Sequence, residues 1–140
     1  MKIPIIPIFF AVILTACNTV KPDAKSIGSV SPPADVDVVR MVINQQQNIR
    51  ATVYVVADVA MVQVDKKEPQ RLTGINPMLY PDFRQIFFRI QDKNRDGFKE
   101  IAVLAGTSFA AADLCYDVFH YNSVTGKFTR RLEDFYCTHG

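Results

Sequence analysis

The residues whose types and spacing best fit metal chemistry lie in segment 92–100, which reads DKNRDGFKE. Oxygen-bearing side chains occupy positions 1, 3, 5 and 9 of this segment, and glycine occupies position 6. This spacing wraps a chain around a hard cation, and a main-chain carbonyl at the seventh position can complete the set of ligands. All of these donors are oxygens, which favours calcium. The predicted ligands are Asp92, Asn94, Asp96, the carbonyl oxygen of Phe98, and Glu100.

Two other interpretations of this segment have to be weighed. An EF-hand is excluded because its twelfth position is Val103 instead of a bidentate glutamate, and because both flanks are typical of strands. A polar turn that bends residues 94–97 without binding metal has a similar composition and stays open. Glu100 favours the calcium loop, since a turn has no need of an acidic residue at the start of the next strand.

The segments around this loop predict an all-β domain. Short runs rich in β-branched residues alternate with polar turns, and no segment keeps a helical period. The predicted strands are 36–43, 49–57, 61–64, 70–73, 85–91, 101–105, 115–122 and 127–131. We therefore expect residues 35–140 to form a single domain of antiparallel sheets, sandwich-like or half-propeller-like, with the calcium loop between two strands.

The N-terminus predicts export. Lys2 precedes an apolar run over residues 3–14, which is shorter than the ~20 residues a membrane-spanning helix needs. Such a run fits the central region of a cleaved signal peptide. The following Leu-Thr-Ala-Cys, ending at Cys17, resembles the bacterial lipobox. The open alternatives are an ordinary secretory signal and an uncleaved anchor.

The lipobox interpretation assigns residues 1–16 to a signal peptide and predicts that Cys17 carries lipid. Residues 17–34, which are polar and contain prolines, are then a flexible tether. The residue after the cysteine is Asn18; in the best-known sorting system an aspartate there retains the protein at the inner membrane. The resemblance therefore implies a lipid anchor at the periplasmic face of the outer membrane.

Charge and cysteine content narrow the possible partners. The chain has 16 Lys and Arg against 14 Asp and Glu, which argues against a nucleic-acid partner.

Cys115 and Cys137 remain after lipidation, and an exported protein favours a disulfide between them over two free buried thiols. His120 and His139 have no spacing typical of zinc sites, and no nucleophile motif is visible. We do not expect an enzyme.

The loop resembles the calcium loop of FG-GAP-type repeats, although one copy cannot make a full propeller. Residues 92–128 resemble a narrower group of small envelope lipoproteins that carry one such loop. Members of that group inhibit lysozyme-like peptidoglycan hydrolases, and are related in fold to periplasmic inhibitors of invertebrate-type lysozyme. The shared motifs are the loop, IAVL at 101–104, Gly106, CYDVF at 115–119 and YNSVTGKF at 121–128.

The resemblance implies a function. Members of the group include immunity proteins, which protect a cell from the hydrolase effector it injects into rivals through a type IV secretion system. Related inhibitors place a Ser-Gly-x-x-Tyr loop in the enzyme cleft, and the corresponding stretch here is 105–109, with alanine and phenylalanine at the outer positions. The implied inhibitory loop is Gly106, Thr107, Ser108 and Phe109. The alternative is a structural or adhesive envelope module that calcium only stabilises.

The lipobox interpretation gives the first prediction. Cys17→Ser should leave uncleaved precursor and abolish acyl labelling, because the lipid is transferred to a thiol. Labelling with a radioactive fatty acid, followed by gel electrophoresis that separates precursor from mature protein, measures both effects. A mutant that is cleaved normally or still incorporates the fatty acid would contradict lipid attachment at Cys17.

Overall fold

A computed structural model describes residues 32–108 and 113–139, so the predicted signal peptide, Cys17 and most of the tether lie outside the described residues. Within them no helix is long and apolar enough to cross a membrane. The described chain forms eight strands and one short 3₁₀ helix. In chain order these are β1 Val38–Asn44, β2 Ile49–Val56, β3 Val59–Val64, β4 Gln70–Gly74, the 3₁₀ helix Arg84–Ile86, β5 Phe88–Gln91, β6 Glu100–Ser108, β7 Asp113–Asn122 and β8 Lys127–His139.

The strands form two four-stranded antiparallel sheets, each with its strands side by side in chain order. The first sheet is β1-β2-β3-β4 and the second is β5-β6-β7-β8. The prediction of an all-β fold with antiparallel sheets is therefore confirmed. Tight turns make this order possible: Gly126, at the turn between β7 and β8, has φ +67°, which glycine adopts without a steric cost.

One hydrophobic cluster joins the two sheets. The first sheet contributes Val53 and Val62, and the second contributes Ile101 and Val103, all of them fully buried. Residues 100–104 of β6 are buried without interruption, so both faces of this strand are covered. A strand that is covered on both faces has a continuous run of apolar residues in its sequence, which explains the IAVL motif.

The connection between the sheets covers part of the second sheet. Phe87 is fully buried, and its ring meets those of Tyr80 and Phe88 edge to face at centroid distances of 4.9 and 5.0 Å. The Tyr116 hydroxyl of β7 donates a hydrogen bond of 2.9 Å to the Ile86 carbonyl. Aromatic packing and this hydrogen bond together hold the connection against the sheet.

The structure corrects three strand predictions. Residues 85–91 were predicted to form one strand, but a 3₁₀ helix occupies Arg84–Ile86, and Phe87 directly after it is fully buried. Strand β6 extends to Ser108 because Thr107 and Ser108 pair with β7. Strand β8 continues past residue 131 to His139, where it pairs with the start of β7.

The burial of Phe87 gives the second prediction. Phe87→Ala should lower the free energy of unfolding by about 3–5 kcal/mol, because it removes a fully buried ring and leaves a cavity. The matched control is Met78→Ala: Met78 is 78% exposed in the same connection, and its replacement should change stability by less than about 0.5 kcal/mol. Urea denaturation of both variants measures the difference, and equal losses would contradict the packing of the connection.

Candidate functional site

The predicted calcium loop connects two paired strands. Gln91, at the end of β5, lies opposite Glu100, at the start of β6, so the loop closes a hairpin. Arg95 and Gly97 have positive φ values of 59° and 85°. These two left-handed residues let the loop turn tightly enough to bring its polar side chains inward.

Side chains of the loop accept hydrogen bonds from its own backbone. Asp92 accepts from the N–H groups of Asp96, at 3.1 Å, and Gly97, at 3.0 Å. Asn94 Oδ1 accepts from the Asp96 N–H at 3.0 Å, and Asp96 Oδ1 accepts from the Phe98 N–H at 2.8 Å. The structure thus gathers the first three predicted ligands around one turn of backbone, with Phe98 next in the chain.

Glu100 reaches back to this loop from the first position of β6. The residue is only 3% exposed, and its Oε2 accepts a hydrogen bond of 2.8 Å from the Lys93 N–H. Its Oε1 is buried and has no hydrogen-bond donor within the described residues. Buried polar atoms are nearly always hydrogen-bonded, so this oxygen has spare capacity for a donor or a cation.

His120 of β7 lies beside Glu100 and was not recognised from the sequence. Its Nδ1 is 3.7 Å from Glu100 Oε1, and its Nε2 is 2.6 Å from Asp134 Oδ2. The second contact is close enough for an ion pair but lacks the alignment of a hydrogen bond. The imidazole therefore stands between two carboxylates. Only the register of the strands could have indicated this contact: Ile101 pairs with Phe119, which places the neighbouring residues Glu100 and His120 side by side.

The donors of the loop are of the kind that calcium binds. No three His, Cys, Asp or Glu side chains converge as a metal site within residues 32–108 and 113–139. A calcium loop also draws on amide and main-chain oxygens, here those of Asn94 and Phe98, so this observation does not decide the matter. The uncompensated Oε1 of Glu100 is compatible with a cation, and calcium stays a prediction.

The first sheet and β7 fix the position of the loop. Asn44 Nδ2 donates to the Gly97 carbonyl at 2.9 Å, and the Lys99 N–H donates to the Ile43 carbonyl at 2.9 Å. The Phe98 ring stacks on Tyr121 with centroids 5.8 Å apart. Burial raises the pKa of the Tyr121 phenol, and the Asp65 carboxylate raises it further, so this ring stays neutral. The loop is held at several points along its length.

The predicted inhibitory segment begins in a strand and not in a loop, which corrects the expectation. Gly106, Thr107 and Ser108 belong to β6, where they pair with residues 113–115 of β7. Phe109 lies outside the described residues. The Ser108 hydroxyl donates to Asp113 Oδ2 at 2.9 Å, and a Cβ added at Gly106 would meet nothing within 4 Å. The segment is thus a strand end with open space beside its glycine.

The C-terminal end of β8 is tied to the same strand end. Cys115 of β7, which pairs with Gly106, is joined to Cys137 by a disulfide bond with a Cα–Cα distance of 4.0 Å. The exposed imidazole of His139 contacts the Asp113 carboxylate. Three strands are therefore linked at this end of the second sheet, by backbone pairing, a covalent bond and side-chain contacts.

Comparisons with known proteins found no match for this chain. No protein-family model matches the chain. No curated protein and no solved structure matches it. The functional proposal therefore depends on the residues of the site and on the resemblance of their motifs.

The left-handed loop residues give the third prediction. Gly97→Ala should destabilise the protein by about 1–2 kcal/mol, because a side chain at this positive φ is strained, although the added Cβ would make only an ordinary contact, 3.7 Å from Asn44 Nδ2. The control is Arg95→Gly, where relief of strain offsets the added freedom of the unfolded chain, so stability should stay within about 0.5 kcal/mol. Thermal denaturation in the presence of a chelator measures both. A Gly97→Ala variant as stable as wild type would contradict the loop conformation.

Proposed function

We propose that this protein is an envelope lipoprotein that inhibits a lysozyme-like peptidoglycan hydrolase, as an immunity protein against such an effector. Lipid on Cys17 holds it at the periplasmic face of the outer membrane, and segment 17–34 lifts the domain off the lipid. The loop at 92–100 binds calcium. The end of the β6–β7 hairpin enters the active-site cleft of the hydrolase.

The observation that carries this proposal is the continuity of β6. The strand begins at Glu100, in the predicted calcium loop, and ends at Ser108, in the predicted inhibitory segment. Its first five residues are buried, so the strand cannot tilt without disturbing the core. Past a register irregularity between Leu104 and Gly106, the strand end stays paired with β7, and the disulfide between Cys115 and Cys137 joins β7 to β8 there. A contact segment held in this way loses less entropy on binding than a free loop.

The chemistry of this strand end suits a cleft lined by carboxylates. Hydrolases of this class work with a pair of acidic residues in a sugar-binding groove. The Ser108 hydroxyl already donates to Asp113, whereas the Thr107 hydroxyl makes no hydrogen bond with the described residues. Thr107 is therefore the better donor to an acidic group of the enzyme. Gly106 allows close backbone approach, since no side chain stands in the way.

Calcium has a supporting part in this proposal. Asp92, Asn94, Asp96, the Phe98 carbonyl and Glu100 are the residues that would hold it. The ion would supply positive charge to a loop with three carboxylates and would lock that loop at the base of β6. The residues themselves already fix the loop on the first sheet through Asn44 and Ile43.

One observation favours the second candidate, a structural or adhesive envelope module. The loop donates and accepts hydrogen bonds that join the two sheets, at Gly97 and Lys99. A calcium ion there would strengthen this joint whether or not the protein binds a hydrolase. The two candidates differ in one measurable respect, which is inhibition of an enzyme.

Inhibition of lysis gives the fourth prediction. The domain from Ala34 onward should block peptidoglycan lysis by a lysozyme-like hydrolase, above all one encoded beside it. Gly106→Trp should weaken inhibition at least tenfold, because the bulky ring occupies the space through which the enzyme approaches. Phe109→Ala should cost about 2 kcal/mol of binding if the ring is buried in the cleft.

Gly74→Trp is the matched control for this experiment, since a Cβ added at Gly74 of β4 makes only ordinary contacts. This variant should inhibit like wild type, and both glycine variants should keep the wild-type melting temperature. A folded, calcium-loaded domain that inhibits no such hydrolase would falsify the proposed function. Inhibition that survives Gly106→Trp would keep the function and place the contact elsewhere.

A further inference from the structure

Three polar side chains form a row on one face of the second sheet. Glu100 of β6, His120 of β7 and Asp134 of β8 follow one another across neighbouring strands, at the 3.7 and 2.6 Å separations given above. The side chains are 4%, 13% and 37% exposed, so exposure falls steadily toward Glu100. They line a cavity of about 250 Å³ whose floor includes Ala102 and Val118.

Among these three side chains, the buried Glu100 carboxylate most needs a hydrogen-bonding or charged partner. A buried carboxylate without a compensating charge or hydrogen bond is strongly destabilising. The Lys93 N–H satisfies Oε2, but the Lys93 ammonium lies over the Tyr136 ring, 4.6 Å from its centroid. The imidazole of His120 is the side chain that contacts Oε1. At 3.7 Å the imidazole borders Oε1 without donating a hydrogen bond to it, while the loop backbone holds Oε2.

Asp134 reaches the imidazole through an irregularity in β8. Tyr136 pairs with Tyr116 and Arg131 pairs with Val118, so residues 132–135 stand opposite Asp117 alone. Such a bulge re-aims a side chain relative to a regular strand. Here it brings the Asp134 carboxylate to His120 Nε2, while Leu132 and Phe135 in the same bulge stay 72% and 46% exposed. In a regular β8, successive side chains would point alternately to the two faces of the sheet through residues 132–135.

We propose that His120 and Asp134 are positioning residues that orient the Glu100 carboxylate toward a calcium ion in the loop. Carboxylates that bind metals are held by hydrogen-bonding and charged neighbours, and loss of such a neighbour typically weakens metal binding 10–100-fold. His120 supplies the neighbour of Glu100, and Asp134 fixes the plane of the imidazole. The inference rests on the calcium part of the proposed function and is independent of the hydrolase.

The test measures calcium binding to the mature lipoprotein in detergent by titration calorimetry. Asp134→Asn and His120→Gln should raise the Kd for calcium 10–100-fold. Their melting temperatures in chelator should remain within a few degrees of wild type. His139→Gln is the matched control, because His139 also pairs with a carboxylate, Asp113, but at the far end of β7; its Kd should be unchanged.

A spectroscopic signal separates positioning from general stability. The ring ¹⁵N resonances of His120 should shift when calcium saturates the wild type, and this shift should be lost in Asp134→Asn. Calcium binding within twofold of wild type in both Asp134→Asn and His120→Gln overturns the inference alone. A wild type that takes up no calcium overturns the calcium site together with it. Calcium binding without inhibition of any hydrolase rejects only the immunity function and leaves this inference standing.

Discussion

The burial of β6 on both faces is the constraint on which the other features depend. A strand that exposes apolar side chains on two sides needs a cover on each. The first sheet covers one side through residues such as Val53 and Val62. The connection that carries Tyr80 and Phe87 covers part of the other. Because residues 100–104 are buried without interruption, this part of β6 is fixed in the core, and the groups at the two ends of the strand extend from it.

The loop before β6 also joins the two sheets. Its backbone is hydrogen-bonded to Asn44 and Ile43, at the end of β1, and Phe98 stacks on Tyr121 of β7. A change in this loop therefore reaches both sheets and, through β6, the strand end at Ser108. The predicted calcium loop and the proposed contact segment lie at opposite ends of β6, so both depend on the same strand. This shared dependence is why stability and inhibition have to be measured separately.

The sequence predicted what local chemistry determines. The β-branched runs of β2 and β6 and the oxygen-rich loop were visible, because side-chain type and short spacing specify them. The sequence did not reveal what depends on pairing between distant residues. The 3₁₀ helix at Arg84–Ile86 was assigned to a strand, so the burial of Phe87 was not predicted. Ser108 looked like a loop residue because its partner Asp113 was unknown. The neighbours of Glu100 required the register of three strands.

The bulge in β8 affects how readily one copy of the protein can pair its sheet edge with another copy. The outer edge of this long strand is a potential template for the strand of another molecule, which is a common route to aggregation. The side-chain amide of Gln70 bonds the N–H and carbonyl of Phe128 at one end, and the irregularity at residues 132–135 interrupts the edge farther along. Arg131 and Glu133 add charge there. The edge is therefore broken into short pieces, which makes it a poorer template for the strand of a neighbouring copy.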